Sequence, residues 1–307
     1  MVSSSEITYE PSMSLKIVYS IMVLLVIIWG LTFPAVRSVA TSDIGKYPFI
    51  IAFYRYLFAI PMLIIFTKLI DKKIAFPKEY AKEIIILGIL EISLYQFLFI
   101  SGLRFTSASD AGMILNPTIS FVTALYAAKM YADERLSLNW FIGIILSITG
   151  VALIFVNSPN PHVENRLFGN FLIIATAITY AVYAVNSRPL FQKIPVLTFQ
   201  LWATIAGWIV ISIFALYQQI TADPYTMNQS DLWWIVYLAF AAAVGNAVMS
   251  IGIKNIGPTK ASAFINFIPL SGVILSNLIL HENFSILYIV SFTLISIGVY
   301  LINRKKS

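Results

Sequence analysis

Two charged residues stand inside long apolar runs: Arg55 within Tyr47–Thr67 and Glu91 within Ile84–Leu103. An ionisable group at membrane depth is costly, so it faces protein or a water-filled cavity. Arg55 lies eight residues into its run and Glu91 seven into its own, hence about 12 Å and about 10 Å deep at 1.5 Å per residue. If the two runs enter from opposite sides of a core about 30 Å thick, their levels differ by about 8 Å, which two long side chains can bridge. Two readings are open. In one, Glu91 takes a proton or cation and Arg55 anchors a substrate carboxylate. In the other, they form a structural ion pair between neighbouring helices.

Other polar residues cluster at helical spacing. Gly112, Asn116, Ser120 and Thr123 share one face, as do Ser262, Asn266 and Pro269. Tyr95 follows Glu91 by one turn, and Asn246 follows Gly245. Tyr180, Tyr183 and Asn186 mark another run, and Trp29 and Thr32 the first. A few polar groups among aromatics line a small-molecule pocket. The candidate lining is therefore Trp29, Thr32, Arg55, Glu91, Tyr95, Asn116, Tyr180, Tyr183, Asn246 and Asn266, with Asn116 and Asn266 meeting at the centre. The alternative is that small and polar residues only let helices approach and hydrogen-bond. Pro117 and Pro269 remove a backbone donor and kink their helices, for motion or for packing. Asp110 reads as a rim or helix-start carboxylate beside Arg104, and Glu134 and Glu282 as boundary carboxylates.

Several chemistries are excluded. There is no Cys, and the only histidines are His162 and His281, so no metal site and no cofactor are expected. The run Gly252–Thr259 lacks a Lys after its second Gly and the preceding strand of a phosphate loop. Neither H-E-x-x-H nor G-x-S-x-G occurs, and the chain is not expected to be an enzyme. Asn228-Gln229-Ser230 is a glycosylation sequon in an expected external loop.

The elements that carry these residues are set by composition. Of 307 residues, 59% are hydrophobic and 11% charged, against about half and a quarter in soluble domains. Eight runs carry no charge: Ile17–Val36, Ala111–Ala128, Leu138–Val156, Leu167–Ser187, Pro195–Tyr217, Leu232–Ile253, Ala261–Leu280 and Phe284–Asn303. With the two singly charged runs they predict ten transmembrane helices, each near the 20 residues a crossing needs. They lack the alternation of barrel strands. The first run is longer than a signal-peptide core and is preceded by Glu6 and Glu10, so it is read as retained.

Charge sets orientation. On ten spans, fifteen of the twenty Lys and Arg residues fall on the side of the termini, four on the other, and Arg55 between. Both termini are therefore expected in the cytoplasm, most simply at the plasma membrane. The net charge of +6 is a topology signal and implies no nucleic acid.

The sequence also repeats. Gly150-Val151-Ala152-Leu153-Ile154 recurs as Gly298-Val299-Tyr300-Leu301-Ile302, 148 residues on. Glu134 and Glu282 each stand sixteen residues before that Gly, and Gln96/Asn246 and Asn116/Asn266 pair at an offset of 150. The division expected is a cytoplasmic tail (1–15), a first five-helix unit (16–157), an external linker (158–166), a second unit (167–303) and a tail (304–307). Five is odd, so the second unit enters the membrane inverted, which is a transporter architecture.

The stretch from Ser107-Ala108-Ser109 through Pro117 to Glu134-Arg135-Leu136-Ser137 and Gly150-Val151 resembles the first EamA repeat of the drug/metabolite transporter superfamily. Trp29-Gly30, Phe33-Pro34 and Arg55 are similar to that family, and Gly257 through Pro269 and Glu282 to Gly298 resembles its second repeat. Pro117 precedes Glu134 by 17 residues but Pro269 precedes Glu282 by 13, a shift of about one helical turn. The first helix lacks the acid that four-helix multidrug relatives use. The resemblance implies an all-α membrane protein of ten helices in two inverted repeats, moving small metabolites, amino acids or drug-like solutes. The expected function is secondary transport by alternating access, outward, with Glu91 as the proton-coupling candidate. A nucleotide-sugar exchanger, a channel or ion permease, and a non-transporting scaffold or sensor are the alternatives. The expected partners are a small-molecule solute and the lipid bilayer, with the chain a monomer or homodimer.

Overall fold

Hydrocarbon offers backbone groups no hydrogen bonds, so a crossing segment must satisfy its own, and an isolated segment does so as a helix. In the computed structural model the described residues are 14–72, 74–130, 138–158, 160, 165–256 and 264–303. Among them the secondary structure is helical, with no strand. Glu134, Arg135, Ser137, His162, Gly257 and Ser262 lie outside the described residues, as do the termini.

The helices are α1 (Leu15–Thr41), α2 (Pro48–Ile70), α3 (Lys78–Phe105), α4 (Ala108–Met130), α5 (Leu138–Asn157), α6 (Arg166–Ser187), α7 (Val196–Thr221), α8 (Gln229–Ile256), α9 (Ile268–Leu280) and α10 (Ile286–Asn303). Seven of them, α1–α3 and α5–α8, are long and apolar enough to cross a membrane, and α9 and α10 are shorter apolar helices. α4 has 23 residues and carries Asp110, Asn116, Thr118, Ser120 and Thr123. Outward faces present large apolar side chains, such as Ile220 at 75% exposure, Ile213 and Phe171. The chain is an all-α, multi-pass integral membrane protein.

Proline breaks the expected spans in two places. α1 pauses at Leu31, because Pro34 has no N–H for the Gly30 carbonyl; the chain resumes with Ala35 N donating to Leu31 O at 3.1 Å. The ninth run, expected as one helix over 261–280, turns at Asn266 and Phe267, and α9 starts at Ile268 with Pro269 in its first turn. Pro is tolerated there because the missing donor would be unsatisfied anyway. Pro117 instead lies inside α4, which continues through it.

Helix contacts recur five helices apart. α4 packs on α6 as α9 packs on α1; α3 packs on α6 as α8 packs on α1; α2 packs on α8 as α7 packs on α3. α2 and α7 cap each other. Gln218 of α7 accepts from Phe49 N and Ile50 N at 3.1 and 3.3 Å, while Asp71, after α2, accepts from Thr198 N at 2.7 Å. Each helix start thus borrows an acceptor from the other's end, and the two run antiparallel.

α5 and α10 are antiparallel too, and glycine sets their spacing. A Cβ on Gly143 would come within 2.5 Å of Gly298 O, and one on Gly150 within 2.9 Å of Ser291 O. The repeated glycines Gly150 and Gly298 therefore lie on one seam, where small residues permit close backbone approach. The sequon also has a structural use: Asn228 and Asp231 exchange hydrogen bonds, Asp231 N to Asn228 Oδ1 at 2.8 Å and Asn228 N to Asp231 Oδ2 at 3.1 Å, in a capping box that starts α8.

Between the α1–α2 and α7–α8 loops, Thr226 N donates to Asp43 Oδ2 at 2.8 Å, and this bond, with Lys46, holds the Asp43 carboxyl below its ordinary 3.8. Its contribution is present above that value and lost as pH falls through the lower folded one; Asp43→Asn should remove that acid-sensitive component from a melting-temperature profile. At the seam, Gly298→Leu should destabilise the detergent-solubilised protein by about 1–3 kcal/mol through overpacking. The lipid-facing control Ile297→Leu should leave thermal unfolding unchanged.

Candidate functional site

The centre is built by a local irregularity in α3. Residues Ile89–Leu94 form a π-helical turn, and Glu91 sits in it. Such turns are rare and cluster at functional sites. Gly88 lies against the Ala203 backbone, and a Cβ on Gly207 would come within 2.5 Å of Ile92 Cβ, so α3 and α7 nearly touch. Ser93 Oγ fixes this approach by donating to Gly207 O at 2.8 Å. Gln200 consequently reaches Glu91, with Nε2 at 3.2 and 3.0 Å from the two carboxylate oxygens. Gln200 Oε1 accepts from Tyr183 OH at 3.1 Å. The Tyr95, Tyr180 and Tyr183 rings follow in a row, at 5.8 and 5.6 Å between successive centroids.

The next turn of α3 supplies Gln96, whose Oε1 accepts from Arg55 Nη1 at 2.8 Å. Gln96 Nε2 donates in turn to Tyr56 OH at 2.8 Å, and the guanidinium lies 5.5 Å from the Tyr56 ring centroid. Arg55 and Glu91 are thus held by separate glutamines and do not form the direct ion pair that was one reading of the sequence. Among the described residues the ion pairs are Lys46–Asp43 and Arg166–Asp110.

The remaining candidates divide. Trp29 packs on Gly245 and donates to Ala241 O at 3.2 Å, and Thr32 Oγ1 donates to Trp29 O at 2.5 Å. Asn116 is half-buried and its Nδ2 has no partner. Asn246 and Tyr180 are half-buried, and Tyr183 is buried. Asn266 stands exposed in the turn before α9 and makes no hydrogen bond to Asn116. Gln96, Gln200 and Tyr56 complete the centre. The sequence offers a signal for the two glutamines, since each interrupts an apolar run as Glu91 does, but an uncharged amide is a weaker flag than a charge.

One end of the bundle is closed by a polar lattice. Glu282, between α9 and α10, accepts from Ala108 N at 2.8 Å, Ser109 N at 2.9 Å and Ser109 Oγ at 2.5 Å. A carboxylate on these free N–H groups also meets the positive end of the α4 dipole. Asp110 lies in the first turn of α4, as the helix-start reading has it, and not on an exposed rim. It is fully buried, accepts from Tyr288 OH at 2.7 Å and pairs with Arg166 at 3.5 Å, not with Arg104. Asn160 links the linker to this lattice through Tyr288 OH at 2.9 Å and Asn283 N at 2.9 Å. Residues 108–115 of α4 are buried, whereas 119–124 are half-buried, so α4 is more enclosed in its first half than in its second. No group of acids and histidines able to hold a metal occurs among the described residues.

The sequence pattern of the EamA-like transporter family matches residues 16–156 and again 167–304. Similar proteins include an uncharacterized transporter of Archaeoglobus fulgidus, 26% identical over 93% of this chain and 97% of its own. The uncharacterized transporter YetK of Bacillus subtilis is 24% identical over 82% and 77%. A WAT1-related protein of Arabidopsis thaliana is 22% identical over 91% and 83%. A solved crystal structure superposes with a TM-score of 0.64 at 17% identity, covering 92% of this chain and 95% of that one, a likeness of fold.

The α4 cap is open to direct test. Glu282→Gln removes the charge and one acceptor oxygen from the start of α4, and should cost about 1–2 kcal/mol in thermal unfolding. An unchanged melting temperature would show that the cap contributes nothing.

Proposed function

We propose, for a chain that belongs to the EamA-like transporter family, that it is a secondary transporter whose two inverted five-helix halves alternate around a site at Glu91. The protein is a membrane transporter. The finer reading gives it a small organic metabolite or amino acid as cargo, moved outward through the plasma membrane with both termini cytoplasmic. Inversion is supported by the antiparallel course of α2 against α7 and of α5 against α10, equivalent helices of the two halves. Two separate matches of the family pattern are in keeping with it.

One observation carries the mechanism. Glu91 is a half-buried carboxylate in the middle of an apolar bundle, bonded to a neutral amide rather than a fixed cation. Its charge is therefore available to a proton or to cargo, and intramembrane acids of this kind serve proton relays. The lattice of Glu282, Asp110, Tyr288 and Arg166 then acts as the outer gate, and the half-buried second half of α4 faces the entry path from the cytoplasm. Alternation requires two states of comparable energy, which hydrogen bonds between mobile elements supply more readily than a fused apolar core does.

Proteoliposomes holding a pH-reporting dye and an amino-acid mixture test this reading. Wild-type protein should move protons in response to the solute gradient and show saturable counterflow. Glu91→Gln should abolish the proton signal while keeping solute exchange. Equal proton movement in both proteins would remove Glu91 from the mechanism, and flux without saturation would favour a channel.

A further inference from the structure

Arg55 is the one cation the sequence sets at membrane depth, and its surroundings leave its bonding incomplete. The residue is 8% exposed, and its Nε is buried without a hydrogen-bond partner. Gln96 takes Nη1, and Tyr56 offers only its ring face. Glu91 is held by Gln200 on another helix and makes no ion pair with Arg55. A buried guanidinium with a free donor and no carboxylate partner is a costly arrangement unless something else brings the negative charge. An arginine fork matches a carboxylate in shape and charge.

We propose that Arg55 is the docking point for the carboxylate of the cargo, and that the cargo carries a single negative group on a body with an apolar or aromatic face. The charge count selects the class. One guanidinium, held by Gln96 and facing the Tyr56 ring, balances one negative charge, whereas a phosphate dianion calls for more. Gln96 is a positioning residue: Tyr56 OH fixes its amide, so its Oε1 holds Nη1 and leaves Nε free. The Tyr95 and Tyr180 rings, adjoining at 5.8 Å, offer the apolar wall. Glu91 lies on α3, five residues before the Gln96 that holds Arg55, so its proton sets the net charge of the loaded centre. The assignment rests on the transport reading but is tested without flux.

The experiment is thermal unfolding of the full chain in detergent with matched pairs: phenylalanine against phenylalaninamide, leucine against leucinamide, benzoate against benzamide. Bound ligand raises the melting temperature with concentration over Kd. The expected result is stabilisation by carboxylates and none by the amides, lost in Arg55→Gln. Arg55→Lys keeps the charge without the fork, and should bind about tenfold more weakly while preferring carboxylates, as for loss of one charge-assisted bond. If Arg55→Gln does not fold, the lysine variant decides. Equal stabilisation by amides, no stabilisation by any carboxylate, or unchanged affinity in a folded Arg55 variant would each overturn the proposal. Proton-coupled flux that survives Arg55→Gln would overturn it while leaving the transporter reading intact. Arg55-dependent binding without flux would do the reverse.

Discussion

The hydrocarbon around the middle of each helix offers no hydrogen bonds. A polar group placed there gains from a partner in the bundle, because an unsatisfied one is costly in hydrocarbon. The two charges at depth meet this demand through amides. Gln96 serves Arg55 and Gln200 serves Glu91, so neither charge neutralises the other. A direct ion pair would have been the tighter structural solution; the split arrangement leaves both groups with capacity for a ligand or a proton.

The same constraint explains the helix ends. Arg37 donates to the Leu103 and Arg104 carbonyls at the end of α3, Arg104 to Ala40 O at the end of α1, and Arg166 to Phe155 O at the end of α5. Three of the four cations on the minority side of the charge count are therefore caps on helix C-termini, where the dipole favours them. Acids take the starts, Glu282 on α4 and Asp71 on α7. Directional bonds at the start of α4 and a polar, half-buried centre are in keeping with the alternating mechanism proposed above.

Much of this was legible in the sequence, and the losses have physical causes. Charge-free runs near 20 residues predict the helices because the bilayer fixes their length, and Gly150 and Gly298 stand out because a seam needs small residues on both sides. The π-turn around Glu91 has no sequence marker; it lies where Gly88 packs closely against α7. The burial of Asp110 was hidden because its partner Arg166 is 56 residues away and Arg104 stands nearer in the chain. The turn at Asn266 follows from Pro269, which the sequence displays, but whether a proline bends a helix or starts a new one depends on neighbours that sequence alone does not name.

The most direct measurement concerns inversion of the halves. The chain has no cysteine, so single thiols are clean reporters. Lys46→Cys lies between α1 and α2, and Gln192→Cys between α6 and α7, the equivalent loop of the second half. With an impermeant thiol reagent applied to intact cells and to inverted vesicles, Lys46→Cys should label only in the cells and Gln192→Cys only in the vesicles. Labelling of both from one side would place the two halves in the same orientation and contradict the account.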